Sequence, residues 1–189
     1  MKILWFDVET TGLDPVKNDI ITLSAIIEID GKVERTLNLK VQPHSYENIS
    51  QEALDINGIT VEQMRTFDTP EVAHEKLVAY FERYVNRYDK FDKFQPAGYN
   101  ITFDMLFLAE FFKKCGDKYF GSWVDYHKFD VATLIQFLHL KGVLTLENYK
   151  LVTVAGAMGI EFKAHDAQSD IVTTREICYK LLDMIEIKK

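Results

Sequence analysis

The segment Phe6–Leu13, with the sequence FDVETTGL, places two carboxylates at the end of a short apolar run. Residues 3–6 (ILWF) are rich in β-forming side chains and predict a strand. Residues i and i+2 of a strand point to the same face, so Asp7 and Glu9 present both carboxylates to one side. Gly12 and the Asp-Pro pair that follows end the strand. Buried acids need a neutralising partner, and a metal ion commonly provides it.

The acid pair alone is a weak signal. With 29 acidic residues in a chain of 189, about four acid-x-acid pairs arise by chance. The same spacing recurs at Glu28 and Asp30, beside Gly31, where it predicts a solvated turn. Two interpretations of Asp7 and Glu9 therefore stay open at this point, a metal site and a coincidental pair.

Length and composition limit the class of protein. A chain of 189 residues suits a single domain over residues 1–189 with a full core. Its 47% hydrophobic and 27% charged residues are ordinary for a globular protein. The net charge of −7 argues against a protein that coats long nucleic acid electrostatically. It does not argue against an enzyme that holds only the end of a strand.

Targeting signals and cysteine usage favour a cytoplasmic protein. The four apolar residues before Asp7 are too few for the core of a signal peptide, and no apolar run approaches the length of a membrane span. Cys115 and Cys178 lie in helical patterns without metal-ligand spacing. We therefore expect both cysteines to be reduced and in or near the core.

The first half of the chain predicts three strands and then helices. Residues 20–29 and 32–41 are strand candidates around an Asp-Gly turn, so the first three strands should pair antiparallel. Short helices are predicted at 51–56 and 61–64. A long amphipathic helix should begin at Pro70, with apolar positions that continue to Tyr88.

The second half alternates strands and helices. The predicted elements are a strand at 94–99, a helix from Asn100 as N-cap to about Lys114, a short strand at 126–131, a helix that ends near Lys141, a helix at 149–158 and a last helix from about Asp166. This order predicts an α/β fold, with a mixed sheet and helices on its faces.

Two further polar clusters lie at helix starts in this second half. Asn100 and Asp104 are i and i+4 at a strand-to-helix junction, where α/β proteins place their sites. The alternative is an N-cap and a solvated acid, with Phe103 in the core. His165 precedes the last helix and Asp170 lies in its first turns, and a histidine there can equally be a loop residue.

Together, the three clusters resemble the DEDDh 3′–5′ exonucleases, the family of the proofreading epsilon subunit of bacterial replicative DNA polymerase, ribonuclease T and oligoribonuclease. Residues 7–13 (DVETTGL) resemble the first motif of that family, residues 57–60 (NGIT) its His-Gly-Ile-Thr segment, and residues 150–167 the stretch that leads into its third motif. The resemblance covers the whole chain. It implies a ribonuclease H-like fold with a mixed five-stranded sheet and helices on both faces.

The resemblance also implies a chemistry. Asp7, Glu9, Asp104 and Asp170 would hold two Mg²⁺ or Mn²⁺ ions, with Asp7 bridging them. His165 would take the proton from the attacking water. The expected reaction releases nucleoside 5′-monophosphates from single-stranded 3′ ends of DNA or RNA, with DNA favoured. A polymerase is an expected partner.

By the same resemblance, six residues would contact the last nucleotides of the strand: Thr10, Thr11, Leu13, Asn57, Asn100 and Phe103. Two positions depart from the family pattern. Asn57 stands where epsilon-like members often have His, and Tyr99 stands before Asn100 where His is common. Both departures bear on substrate preference more than on chemistry.

Three other interpretations stay open: an exoribonuclease of the same family, a non-catalytic polymerase-associated binding subunit, and an α/β domain with coincidental acids. The four acids together with His165 argue against the binding subunit. The short sequence after the last predicted helix also makes a separate polymerase-binding segment unexpected. Matched DNA and RNA degradation assays would distinguish the expected DNA exonuclease from the exoribonuclease.

Overall fold

A computed structural model describes residues 1–161 and 167–185. Its strands are β1 (Lys2–Thr10), β2 (Ile20–Ile29), β3 (Lys32–Lys40), β4 (Gln95–Gly98) and β5 (Phe129–Asp130). Its helices are α1 (Gln51–Asn57), α2 (Val61–Met64), α3 (Pro70–Phe81), α4 (Thr102–Lys114), α5 (Phe120–Trp123), α6 (Val131–Leu140), α7 (Leu151–Ala157) and α8 (Ala167–Met184). The short helix α5 is absent from the sequence prediction.

The five strands form one mixed sheet in the order β3-β2-β1-β4-β5. β1 pairs antiparallel with β2, and β2 pairs antiparallel with β3. β4 is parallel to both β1 and β5. The predicted opening hairpin and the predicted mixed five-stranded sheet are therefore confirmed, with β1 at the centre.

Helices cover both faces of the sheet, as predicted. The even-numbered β1 residues Leu4, Phe6 and Val8 belong to a core that includes side chains of α3, α4 and α5. The odd-numbered residues Ile3 and Trp5 belong to a second core with α6, α7 and α8. A strand buried on both faces has few polar side chains, so the acids that follow on β1 stand out.

Helix α3 is shorter than its apolar pattern predicts. It ends at Phe81, and Tyr88 is 91% exposed. The Lys2 ammonium donates to the carbonyl of Tyr84 and to the carboxylate of Asp92, and Asp92 also accepts the backbone N–H of Asn86. These long-range contacts hold residues 84–92 in a turn, which overrides the helical periodicity.

Asn100 is not the N-cap of α4. It adopts a left-handed conformation with φ of 54°, and Ile101 occupies the cap position without a side-chain hydrogen bond. The backbone N–H of Asn100 donates to Oδ1 of Asp130 on β5. Because Asn tolerates this conformation, it serves as the turn between β4 and α4. Asn100 and Asp104 therefore do not share a helical face.

Glu28 is not in a solvated turn, although Asp30 is. Glu28 is 1% exposed, and its carboxylate accepts hydrogen bonds from Trp5 Nε1 at 3.1 Å, Arg175 Nε at 2.6 Å and the Tyr179 hydroxyl. Arg175 and Tyr179 come from α8, far away in sequence, so local spacing could not reveal this partner set.

Neither cysteine forms a disulfide, in agreement with the prediction. Cys178 is buried and Cys115 is partly exposed. Burial raises the pKa of Cys115 to about 12 and that of Cys178 to about 11. Within the described ranges, no helix is both long and apolar enough to span a membrane.

Candidate active site

Asp7 and Glu9 lie at the C-terminal end of the central strand. Both are half-buried, whereas Val8 and Thr10 beside them are buried. They continue the odd-numbered row of β1, on the side of the sheet that carries α8. The register between β1 and β2 shifts between Glu9 and Thr10, which makes the pairing of the two strands irregular there.

Asp104 joins the same end of the sheet from the first turn of α4. It is 4% exposed, and its Oδ1 accepts the backbone N–H of Val8 at 3.0 Å. This bond fixes the start of α4 against the acidic end of β1. Burial raises the pKa of Asp104, and the hydrogen bond from Val8 opposes that rise.

Asp170 completes a group of four carboxylates from the first turn of α8. Burial raises the pKa of Asp7 well above its ordinary value, and the negative charges of Asp104, Glu9 and Asp170 raise it further. Residues from three distant parts of the chain therefore act on one another electrostatically. Four such carboxylates favour binding of a proton or a cation between them.

The donor chemistry of this group fits a hard divalent cation. Carboxylate oxygens are the ligands that Mg²⁺ and Mn²⁺ prefer. In residues 1–161 and 167–185, no three acidic, histidine or cysteine side chains already stand close enough to enclose an ion. Like charges repel at short range, so a cation would have to draw the carboxylates together.

His165, the expected general base, lies outside the described residues, as does Asp166. The described chain resumes at Ala167, where α8 begins. Asp170 lies three residues into that helix. The role of His165 therefore stays a prediction.

A cleft of about 290 Å³ lies beside Glu9. Five of the residues that were predicted to contact substrate or metal line it: Glu9, Thr10, Leu13, Asn57 and Phe103. Leu13 is 85% exposed, which leaves its side chain available to a ligand. The Phe103 ring packs on Phe107, with ring centroids 4.7 Å apart.

Hydrogen bonds shape the turn that borders this cleft. The Thr10 hydroxyl donates to the carbonyl of Gly12 at 2.7 Å, and Asn57 Nδ2 donates to the carbonyl of Thr10 at 2.9 Å. A Cβ at Gly12 would lie 2.5 Å from Asn18 Oδ1, so only glycine fits without a shift. Asn57 therefore supports the cleft through the backbone of Thr10.

Thr11 and Asn100 are not among the residues that line the cleft. Thr11 is 1% exposed, and its hydroxyl oxygen accepts the backbone N–H of Asp19 at 2.9 Å. Its carbonyl accepts the N–H of Ser50 at 2.8 Å. Thr11 thus connects the turn to β2 and α1, while Asn100 connects the β4–α4 turn to β5.

Sequence reasoning identified Asn57 but missed the rest of the contribution of α1 to the cleft. The additional lining residues are Val8, Gly12, Asn18, Ser50, Glu52, Ala53 and Ile56. Ala53, Ile56 and Asn57 follow i, i+3 and i+4 spacing, which places them on one face of a helix. Ile56 is 51% exposed, so its side chain is open to the cleft. The spacing of Ala53 and Ile56 was the only local signal for this face, and it does not reveal that the cleft lies against it.

The mixed sheet in the order β3-β2-β1-β4-β5, with helices on both faces, is a ribonuclease H-like fold. The model of the RNase_T family, described as an exonuclease, matches residues 4–178. The chain belongs to this exonuclease family, which confirms the resemblance.

Curated relatives are bacterial polymerases. The PolC-type DNA polymerase III of Oceanobacillus iheyensis is 30% identical over 97% of this chain and 12% of its own length. The PolC-type enzyme of Pediococcus pentosaceus is 28% identical over 96% of this chain and 11% of its own length. The chain therefore spans about a tenth of the length of the curated relatives it matches.

Similar solved structures belong to exonuclease I of E. coli. Its complex with a dT13 oligonucleotide has a TM-score of 0.79 and 20% identity, over 96% of this chain and 40% of that one. A zinc-bound form of its complex with single-stranded DNA has a TM-score of 0.80 and 19% identity, over 96% and 42% of the two chains. At this identity the likeness establishes the fold.

Proposed function

We propose that this chain is a metal-dependent 3′–5′ exonuclease that removes nucleoside 5′-monophosphates from single-stranded DNA. The observation that carries this proposal is the group of four carboxylates beside the cleft at the end of β1. Membership of the exonuclease family supports the reaction class. The PolC-type DNA polymerases and the DNA complexes of exonuclease I support DNA as the substrate.

The four carboxylates have the role of holding the cations. Asp7, Glu9, Asp104 and Asp170 would supply the oxygen ligands of these ions. Two bound Mg²⁺ or Mn²⁺ ions would supply an activated water and neutralise charge on the reacting phosphate. The hydrogen bond from Val8 keeps Asp104 oriented toward this site before any ion binds.

The proton of the attacking water needs an acceptor, and we assign that role to His165. An imidazole has an ordinary pKa of about 6.5, which suits a general base near neutral pH. His165 lies five residues before Asp170 in sequence, the spacing on which the resemblance to the third family motif rests.

The cleft beside Glu9 would hold the 3′-terminal nucleotide. The exposed Leu13 side chain offers an apolar surface to the terminal base, and the Phe103 ring offers a second surface. Stacking on apolar and aromatic side chains tolerates any base, as an exonuclease requires. Asn57 would act through Thr10, whereas Thr11 and Asn100 would act only by holding the surrounding turns.

Degradation of a 5′-labelled oligonucleotide tests the proposal. We expect a ladder of products shortened from the 3′ end with Mg²⁺ or Mn²⁺, no products with a chelator, and faster degradation of DNA than of matched RNA. Asp7→Ala should lose at least about a thousandfold in rate at every Mg²⁺ concentration, because Asp7 is the carboxylate on which the other three acids act and its loss would remove a ligand from the centre of the group.

An exposed acid outside the site provides the control. Glu47→Gln removes one negative charge at the surface and should keep the wild-type rate. The proposal is wrong if purified wild-type protein degrades neither DNA nor RNA, or if chelation leaves the rate unchanged. Faster degradation of RNA would instead make the chain an exoribonuclease of the same family.

A further inference from the structure

Exposed aromatic and basic side chains cluster at the end of the sheet opposite to the carboxylates. They belong to residues 82–93 and 123–128, which we call the aromatic–basic surface. The Lys2 ammonium donates to the carbonyl of Tyr84, which fixes this surface at the start of β1. Glu9 is seven residues further along that strand, so the two sites are about 23 Å apart.

Hydrogen bonds of the backbone order the two segments that carry the aromatic–basic surface. The N–H of Phe94 donates to the carbonyl of Trp123 at 2.9 Å, and the N–H of Asp125 donates to the carbonyl of Phe94 at 2.8 Å. The N–H of Phe91 donates to Oδ1 of Asp89 at 2.9 Å. The exposed rings are therefore presented on ordered turns that are joined to each other.

Three large rings on this surface are almost fully in water. Tyr88 is 91% exposed, Phe91 is 85% exposed and Tyr126 is 79% exposed. The Tyr126 ring also stacks on His127, with ring centroids 3.8 Å apart. Clustered exposed rings usually mark a place where another molecule binds.

An open cleft of about 440 Å³ separates two of these groups. Phe91 lines the cleft from the first segment, and His127, with Tyr126 stacked on it, lines the cleft from the second. Lys2 and Lys93 also line it, together with Asp92, which is paired with Lys2, and Asp125, which accepts the backbone N–H of His127. A planar group that enters this cleft would therefore meet the Phe91 ring beside the Lys93 side chain.

The local charge of the surface opposes that of the whole chain. Residues 82–93 and 123–128 together carry five basic and four acidic side chains, in a chain with a net charge of −7. One of those acids, Asp92, is already paired with Lys2 from outside the segment. The Lys90 ammonium lies 4.7 Å from the centroid of the Phe91 ring, so a positive charge accompanies this exposed phenyl ring.

We propose that the aromatic–basic surface is a second binding site for single-stranded DNA. Bases would stack on Phe91 and Tyr126, and phosphates would meet Lys90 and Lys93. Aromatic residues and Arg are enriched in protein–protein interfaces, but lysines are depleted there, and Lys90 and Lys93 beside the exposed rings favour single-stranded DNA as the ligand. The inference rests on the proposed function in that the ligand is the strand whose 3′ end would be hydrolysed.

Binding in a chelator tests the surface without hydrolysis. The probe is a labelled oligothymidylate of about 20 nucleotides, longer than the footprint of most single-strand sites. We expect Phe91→Ala/Tyr126→Ala to weaken binding by at least about tenfold, from the loss of base stacking. Phe137→Ala removes a ring that is 53% exposed on α6 and should bind like wild type.

Hydrolysis with Mg²⁺ provides the second readout. The double variant should raise KM for the long oligonucleotide and leave the hydrolysis of a trinucleotide unchanged, because a trinucleotide in the catalytic cleft would not reach the surface. Equal affinity of wild type and double variant for the long oligonucleotide would refute the inference. The inference would also be refuted if the double variant lost as much activity on the trinucleotide as on the long oligonucleotide, because that result would indicate a general defect.

The two proposals fail separately. If wild-type protein hydrolyses nothing but the double variant still loses affinity in chelator, the proposed function is wrong and the second site stands. If the protein is an active exonuclease and the double variant binds like wild type, the second site is wrong and the proposed function stands.

Discussion

Leu13 and Thr11 are near neighbours with opposite environments, and this difference assigns their roles. Leu13 is 85% exposed at the cleft, whereas Thr11 is 1% exposed and bonded to Asp19. Burying Leu13 under a nucleotide base would remove apolar surface from water at little structural cost. Substitution of Thr11 would instead leave the N–H of Asp19 without its acceptor, so its effects would be on folding.

His165 is the residue whose substitution separates metal binding from proton transfer. We predict that His165→Ala lowers kcat by about a hundredfold to ten thousandfold, the usual contribution of a general base. Its Mn²⁺ affinity should stay near that of wild type, since the expected ligands are the four carboxylates. Single-turnover kinetics and Mn²⁺ titration measure the two quantities independently.

The matched control for this prediction is His139→Ala, which removes a histidine of α6 that packs against Tyr149. It should leave kcat unchanged. If His165→Ala retained the wild-type kcat, the assignment of the general base would be wrong. A joint loss of kcat and Mn²⁺ affinity would make His165 a metal ligand instead.

At the scale of elements, hydrogen bonds to the Glu28 carboxylate connect helix α8 to the sheet. Arg175 and Tyr179 reach Glu28 from successive turns of α8, and Trp5 reaches it from β1. The same helix carries Asp170 in its first turn. This buried network therefore fixes the helix that supplies the fourth carboxylate.

We predict that Arg175→Ala lowers the free energy of unfolding by about 3 kcal/mol, because it leaves the buried Glu28 carboxylate without a charged partner. Urea denaturation measures the change. Arg35→Ala is the control, since Arg35 is exposed and donates to Tyr80 at 3.3 Å at the surface.

A second substitution distinguishes loss of charge pairing from loss of packing. Arg175→Ala/Glu28→Gln has no buried charge and should be more stable than Arg175→Ala alone. If the double variant were the less stable of the two, the contribution of Arg175 would be packing rather than compensation of charge.

Local pattern predicted the elements well where neighbours in sequence decide the structure, and failed where distant side chains decide it. The β1–β2–β3 hairpins follow from strand patterns and one turn. The end of α3, in contrast, depends on Lys2, and the burial of Glu28 depends on Arg175. The left-handed turn at Asn100 depends on Asp130 of β5. No local pattern contains these partners.

The candidate active site was also predictable only where neighbours in sequence decide its geometry. Asp7 and Glu9 share a face because strand geometry dictates it, and helix starts near Asp104 and Asp170 followed from pattern. The spatial meeting of all four acids came from the family resemblance. The lining of the cleft by α1 depends on how Asn57 and Ser50 bond to the Thr10–Thr11 turn, which only the tertiary structure shows.

At the scale of the whole molecule, Asp19 joins three parts of the chain. Its carboxylate accepts Lys114 Nζ from the end of α4 at 2.8 Å and the backbone N–H of Ser45 at 3.2 Å, and it lies 3.4 Å from Nδ1 of His44. Burial acts to raise the pKa of Asp19. The hydrogen bonds from His44 and Lys114, the charge of Lys114 and the bond from Ser45 outweigh burial, so the pKa is lowered overall.

This lowered pKa predicts how stability depends on pH. The unfolded chain protonates Asp19 near its ordinary pKa of about 3.9, whereas the folded protein holds the carboxylate ionised to lower pH. The stabilisation is therefore fully present above about pH 4 and is lost as pH falls through the folded pKa. Asp19→Asn should be less stable than wild type at neutral pH, and the difference in unfolding free energy should shrink below pH 4.

Urea denaturation of both proteins across this pH range measures that difference, and Asp55→Asn serves as the control because Asp55 is exposed on α1. Comparing each variant with wild type at the same pH cancels the effect of all other titrating groups. If the difference in unfolding free energy between wild type and Asp19→Asn stayed constant from neutral pH down through pH 3, Asp19 would act by shape and hydrogen bonding alone. If that difference became smaller at low pH for Asp19→Asn but not for Asp55→Asn, the acid-sensitive contact would be the junction of β2, the loop at Ser45 and α4.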